Sequence, residues 1–121
     1  MPNQLIVFQL NSVETFTATI YCGFKEGYDG EEYAYSIGEK VCQEYCDVFG
    51  MGLTIEPTTF IYKNGKEHGM RVGLINYPRF PKKPIEIKNI AIEIAHKLKE
   101  AYGQLRVSIV CSDDTYMIGD M

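Results

Sequence analysis

The chain has 121 residues, 45% of them hydrophobic and 23% charged, with a formal net charge of −4. That is one domain's worth of chain with room for a core, and the balance excludes wholesale disorder. It also argues against a nucleic-acid binder driven by overall basicity, and no apolar run approaches the roughly 18 residues a membrane span needs.

Residues 4 to 10 (QLIVFQL) form a short apolar run that reads as a strand. The start, MPNQLIVFQLNS, lacks the basic n-region of a signal peptide, so a cytoplasmic location is expected. From 15 to 24, Phe16, Ala18, Ile20, Cys22 and Phe24 alternate with Thr15, Thr17, Thr19 and Tyr21. This period of two marks a half-buried strand. The loop KEGYDG follows, and then Ala34, Ile37, Val41, Tyr45 and Val48 recur at helical spacing over residues 31 to 48. Gly38 inside that helix costs about 1 kcal/mol relative to alanine, which points to close packing against the sheet.

Leu53 to Ile55 and Thr58 to Lys63 read as a strand broken at Pro57, hence an edge or bulged strand. Asn64-Gly65 is then a hairpin turn whose two positions need positive φ. The return strand, about 66 to 77, alternates Met70, Val72 and Leu74 with Arg71, Gly73 and Ile75. Three prolines within the seven residues Pro78 to Pro84 dictate a stiff, extended connection. Pro84 suits the first turn of the next helix, whose stripe is Ile87, Ala91, Ile94, Leu98 and Ala101, with Gly103 as its C-cap. Leu105, Val107, Ile109 and Cys111 mark a further strand, and Thr115 to Ile118 a short last one.

The order of elements is that of a single α+β domain over residues 1–121. Its core is a ferredoxin-like βαββαβ unit, an antiparallel sheet with two helices on one face, plus the extra N-terminal strand and a short C-terminal one. The helix-free face would carry Thr15, Thr17, Thr19, Tyr21, Arg71, Ile75, Tyr77, Arg106, Ser108 and Val110. That mixture suits a binding surface or an oligomer seam better than plain solvation.

The charge is uneven. Residues 1–60 hold two cations against nine acids, whereas residues 61–121 hold ten against seven. Six cations and one acid, Glu67, lie between Lys63 and Lys83. Arg79 sits between Tyr77 and Phe80 in the proline-stiffened loop, ahead of a helix N-terminus that favours anions. Arginine offers a fixed fork of donors for phosphate or carboxylate, and nearby rings can stack on a base. Arg71, Tyr77, Arg79, Phe80, Lys82 and Lys83 are therefore the candidate ligand-binding residues. No cofactor motif occurs, and Cys22, Cys42, Cys46 and Cys111 lie within apolar patterns without metal-ligand spacing. His68 and His96 read as exposed residues, and no nucleophilic triad can be assembled.

Met1-Pro2 ahead of a β-α-β-β-α-β chain resembles the start of the tautomerase superfamily. Members of that family use an N-terminal proline amine, freed by methionine removal, as a general base. The resemblance rests on Pro2 and element order and implies Pro2 as the base. The nearly thirty residues before the first helix depart from the family's prompt strand-to-helix step.

Three functional readings follow. The first is an oligomeric binding protein that senses or sequesters an anionic or nucleotide-like small molecule, without turnover. The second is a protein–protein module, such as an inhibitor or accessory factor of a mobile element, working through the acidic loop Glu26 to Glu32. The third is a tautomerase-like enzyme using Pro2.

Overall fold

The computed structural model describes residues 8–120. Its elements are β1 (Thr17–Gly23), α1 (Tyr35–Phe49), β2 (Thr54–Tyr62), β3 (Gly65–Ile75), α2 (Pro84–Tyr102), β4 (Arg106–Cys111) and β5 (Thr115–Gly119). The strands form one sheet, ordered β2-β3-β1-β4-β5, with every neighbouring pair antiparallel. The first four strands give the expected ferredoxin-like class, and β5 extends the sheet beyond β4. Most of the expected strand at residues 4–10, together with Pro2, lies outside the described residues. Its described end, Phe8 to Leu10, is irregular and exposed.

The alternation of side chains determines which face the helices cover. Ala18, Ile20 and Cys22 of β1, Met70, Val72 and Leu74 of β3, and Val107, Ile109 and Cys111 of β4 all point into the core. There they meet Ile87, Ala91, Ile94, Ala95, Leu98 and Tyr102 of α2 and Cys42 and Tyr45 of α1. Each fully buried Ile or Leu stabilises the fold by about 1.5–3 kcal/mol, so this single layer accounts for the sheet's attachment to the helices.

Four local details differ from the sequence reading. Helix α1 starts at Tyr35, because Tyr33 donates its backbone N–H to the Phe24 carbonyl at 2.8 Å and Glu32 bridges to Lys25. That holds residues 31 to 34 extended. The buried stripe of α1 is Gly38, Cys42 and Tyr45, while Val48 is exposed. The rotation follows from Gly38, where an added Cβ would lie 2.2 Å from Met70 Sδ.

Strand β2 runs unbroken through Pro57, which sits opposite Met70 in regular register. It is the sheet's edge, where a missing N–H is tolerated. The hairpin turn is Lys63-Asn64, since Tyr62 already pairs with Gly65. Only Asn64 takes positive φ there, at 61°. Gly65 serves a different end, leaving room for the Tyr62 ring, whose Cε2 is 2.5 Å from where a Cβ would stand.

Candidate functional site

The helix-free face is hollowed at the end where β1 finishes. Gly23 of β1 and Gly69 of β3 face each other in the ladder, so two adjacent strands lack side chains at that spot. The vacated space is filled from the sides. A Cβ on Gly69 would lie 2.4 Å from Phe60 Cε2, and one on Gly23 would lie 2.2 Å from Glu67 Oε2. The Phe60 and Tyr62 rings therefore lie across β3, and the Glu67 carboxylate lies across β1. With Tyr21, Tyr28, Gln104, Arg106 and Ser108 they line a concavity of about 300 Å³. That is at the lower end of small-molecule sites.

The charged groups in the hollow are fixed by neutral partners. Glu67 Oε2 accepts the Lys25 backbone N–H at 2.8 Å and the Gln104 side-chain amide at 2.9 Å. The same Gln104 nitrogen also donates to the Lys25 carbonyl. Arg106 donates from Nη1 to the Tyr28 hydroxyl and from Nε to the Asp120 carbonyl at 2.5 Å. Its guanidinium stands 5.7 Å from the centre of the Tyr28 ring, within cation–π range.

Tyr28 belongs to the segment between β1 and α1, which is tied down at several points. Gly27 donates to the Gly103 carbonyl at 3.0 Å, and Glu32 accepts the His68 backbone N–H at 3.0 Å while meeting His68 Nδ1 at 2.6 Å. The His68 N–H, and then its ring, hold the Glu32 carboxyl below the usual carboxylate range. The acidic stretch from Glu26 to Glu32 thus serves in part as an anchor.

Among the six residues expected to bind ligand, Tyr77, Phe80 and Lys82 come together with Met51, Ile87 and Ile90 around a cleft of only about 30 Å³. The loop is braced by Asn76, whose side chain donates to the Glu14 carbonyl at 2.8 Å and accepts the Lys82 N–H at 2.9 Å. Lys83 is the residue before α2, and its carbonyl accepts the N–H groups of Glu86 and Ile87 at 2.9 and 3.2 Å. Arg79 lies outside, its guanidinium 5.4 Å from the Phe80 ring centre.

Arg71 stands apart, four residues or about 13 Å along β3 from Ile75. It pairs with Glu56 on β2, and its Nε is buried with no partner among the described residues. The structure thus groups the loop residues with one another and places Arg71 on the open face.

The sequence reading named Tyr21, Arg106 and Ser108 as open-face residues but missed Tyr28, Phe60, Tyr62, Glu67 and Gln104 as lining. The available signal was Gly23, Gly65 and Gly69, because glycine within a strand marks close approach by another group. Elsewhere a wider groove of about 620 Å³ runs between the helices, lined by Val41, Val48 and Phe49 with Glu44, Glu93, Lys97 and Glu100 at its rim. All four cysteines are free, and burial pushes the Cys22 and Cys42 thiols up to about 12, which leaves them inert. Among the described residues no group of three or more His, Cys, Asp or Glu is placed to hold a metal, and no helix is long and apolar enough to cross a membrane.

No protein-family model matches the sequence, and no curated protein matches it. Two solved structures share its fold. One is a phage SAM lyase in the apo state, with a TM-score of 0.72 at 15% identity, covering 87% of this chain and 89% of that one. The other is a phage SAM lyase in complex with S-methyl-5′-thioadenosine, with a TM-score of 0.71 at 14% identity over 95% and 97% of the two chains.

Proposed function

We propose that the open-face hollow binds a nucleoside-like small molecule of the adenosyl sulfonium class, and that the protein is a small lyase acting on S-adenosylmethionine. The observation that carries this reading is the Glu67 carboxylate, laid over Gly23 and fixed by Lys25 and Gln104 inside a hollow walled by aromatic rings. Flat rings suit a purine, and a fixed anion suits a ligand with a cationic group. The fold shared over nearly the whole chain with a lyase that was solved with a thioether nucleoside agrees with that chemistry. When the bond between the sulfonium and the amino-acid side chain breaks, its electron pair passes to sulfur while the side-chain carbon takes its new bond from the ligand's own α-carboxylate, closing a lactone, so the neutral thioether S-methyl-5′-thioadenosine is the product to look for.

This reading keeps the nucleotide-like ligand expected from sequence, moves it from the Tyr77-to-Lys83 loop to the open face, and adds turnover. The reaction is proposed to take place in the cytoplasm. The protein is also proposed to act as a homo-oligomer, because Ile75 and Val110 on the same open face are 49% and 41% exposed.

Calorimetric titration with S-adenosylmethionine and with S-methyl-5′-thioadenosine tests the binding, and chromatography of an incubation with the former tests the turnover. Binding of both compounds, with Glu67→Gln weakening the cationic one, is the expected result. The second reading, an anion held by the loop, is supported instead if neither adenosyl compound binds while phosphate raises the melting temperature and Arg79→Ala removes that shift.

A further inference from the structure

Two opposite charges line the hollow without neutralising each other. The Glu67 carboxylate lies over Gly23. Carrying the β1–β4 register two residues beyond the pair Tyr21–Ser108 puts the Arg106 backbone opposite that of Gly23, one strand spacing or about 5 Å away. Opposite charges carried on neighbouring strands ordinarily pair. Here no salt bridge among the described residues joins either one to any partner. Glu67 is held instead by a backbone N–H and an amide, and Arg106 by a phenol and a backbone carbonyl. Each tether is neutral, so each charge is positioned yet left uncompensated. Arg106 uses only two of its five N–H groups on these tethers.

We infer that this pair reads the zwitterionic amino-acid end of the ligand, with Glu67 taking the α-ammonium and Arg106 the α-carboxylate. This rests on the adenosyl reading of the hollow and makes Arg106 its specificity-determining residue. Ammonium and carboxylate on one α-carbon lie within a few ångströms of each other, which matches two opposite charges presented from one side of the sheet. Such an arrangement weakens the binding of a ligand lacking either group, because the partner left behind has no substitute. Tyr28 is the positioning residue, since its hydroxyl and ring hold the guanidinium.

The test compares three ligands by calorimetry: S-adenosylmethionine, its decarboxylated analogue, which keeps the sulfonium and the amine, and S-methyl-5′-thioadenosine, which lacks the amino-acid end. Wild type is expected to bind the first roughly tenfold to a hundredfold more tightly than the decarboxylated analogue. Arg106→Gln is expected to bring those two within about threefold while leaving the thioether nucleoside unchanged. Tyr28→Phe, which retains the charge, should narrow the gap in the same direction by a smaller factor, and it covers the case in which Arg106→Gln fails to fold.

A wild type that binds all three compounds with no preference for the carboxylate overturns the inference and leaves the adenosyl reading standing. Loss of the thioether nucleoside in Arg106→Gln at an unchanged melting temperature also overturns it, by showing that the arginine serves the nucleoside instead. A wild type that binds none of the three removes the adenosyl reading and this inference together.

Discussion

Replacing Gly23 by alanine tests the construction of the hollow directly, with no ligand needed. The backbone at Gly23 is ordinary strand, outside the positive-φ region, so alanine is conformationally acceptable there. Its methyl group would lie 2.2 Å from Glu67 Oε2 and 2.6 Å from Cδ, so the carboxylate has to move by about 1 Å or more. That movement breaks or lengthens the bonds from Lys25 and Gln104. A hydrogen bond to a charged group is worth about 1.5–3 kcal/mol, and water reaches the half-buried Glu67 to recover part of it. The expected loss is about 1–2 kcal/mol, or a urea midpoint lower by roughly 0.5–1 M at a slope near 2 kcal/mol/M.

In a Glu67→Ala background the obstacle is gone, and only the Gln104 Oε1 contact at 3.1 Å remains, at the end of a flexible side chain. The same Gly23→Ala change should then stabilise the protein by about 0.4–1 kcal/mol, because alanine restricts the unfolded chain. The sign of the effect reverses between backgrounds, giving a coupling of about 1.5–3 kcal/mol in a double-mutant cycle read by urea unfolding. If Gly23→Ala has the same effect in both backgrounds, Glu67 does not lie over β1, and the hollow as described does not exist.

Two further predictions concern the scaffold. Tyr102 has its hydroxyl inserted into the first turn of α1: it accepts the Gly38 N–H at 2.7 Å and donates to the Ala34 carbonyl at 2.8 Å, at a helix start with no side-chain cap. Tyr102→Phe should cost about 2–3 kcal/mol, lowering the melting temperature by roughly 5–10 °C, and a loss below about 0.5 kcal/mol means that Gly38 closes directly onto Ala34. Asp113 is held below the usual carboxylate range, first by the Lys88 ammonium and then by the Asp114 N–H. A group whose pKa is lower when folded contributes stability above its unfolded value, near pH 4, and loses it as the pH falls toward the folded value. Asp113→Asn should therefore flatten the acid limb of the stability–pH curve below about pH 4, measured by urea unfolding, and an unchanged slope there counts against the Lys88–Asp113 contact.

The sheet was legible because its signals are local. Alternation through Phe16–Phe24, Met70–Leu74 and Val107–Cys111 specifies which side of each strand faces the core, and the structure buries those residues. The hairpin was legible too, although its turn falls one residue earlier than Asn64-Gly65 suggested. The register of β2 against β3 places Gly65 under the Tyr62 ring instead of in the turn. The start of α1 was misplaced because long-range contacts decide it: Lys25 and Glu32 bridge, and Tyr33 is tied to Phe24. The hollow was the least legible feature. Its residues come from the β1–α1 segment and from β1, β2, β3, β4 and the α2–β4 corner, and only the register brings Glu67, Gln104 and Arg106 together.

The same reasoning explains why the dense cationic run was a poor guide to the site. Charges cluster in sequence wherever a loop or hairpin is solvated, and Lys63, Lys66, Arg79 and Lys83 are all exposed. A binding hollow on a sheet needs the opposite, positions from which side chains have been removed so that distant ones can lie across the backbone. Gly23 and Gly69 remove side chains from the centre of the sheet, β2 contributes rings from the edge, and the corner at Gly103 brings Gln104 over the end of β1. Once the helices cover one face, glycines that fall side by side on neighbouring strands make the other face concave within the sheet itself. Among the described residues, the β1–β3 ladder does this once, at Gly23 and Gly69, and the fixed carboxylate lies there.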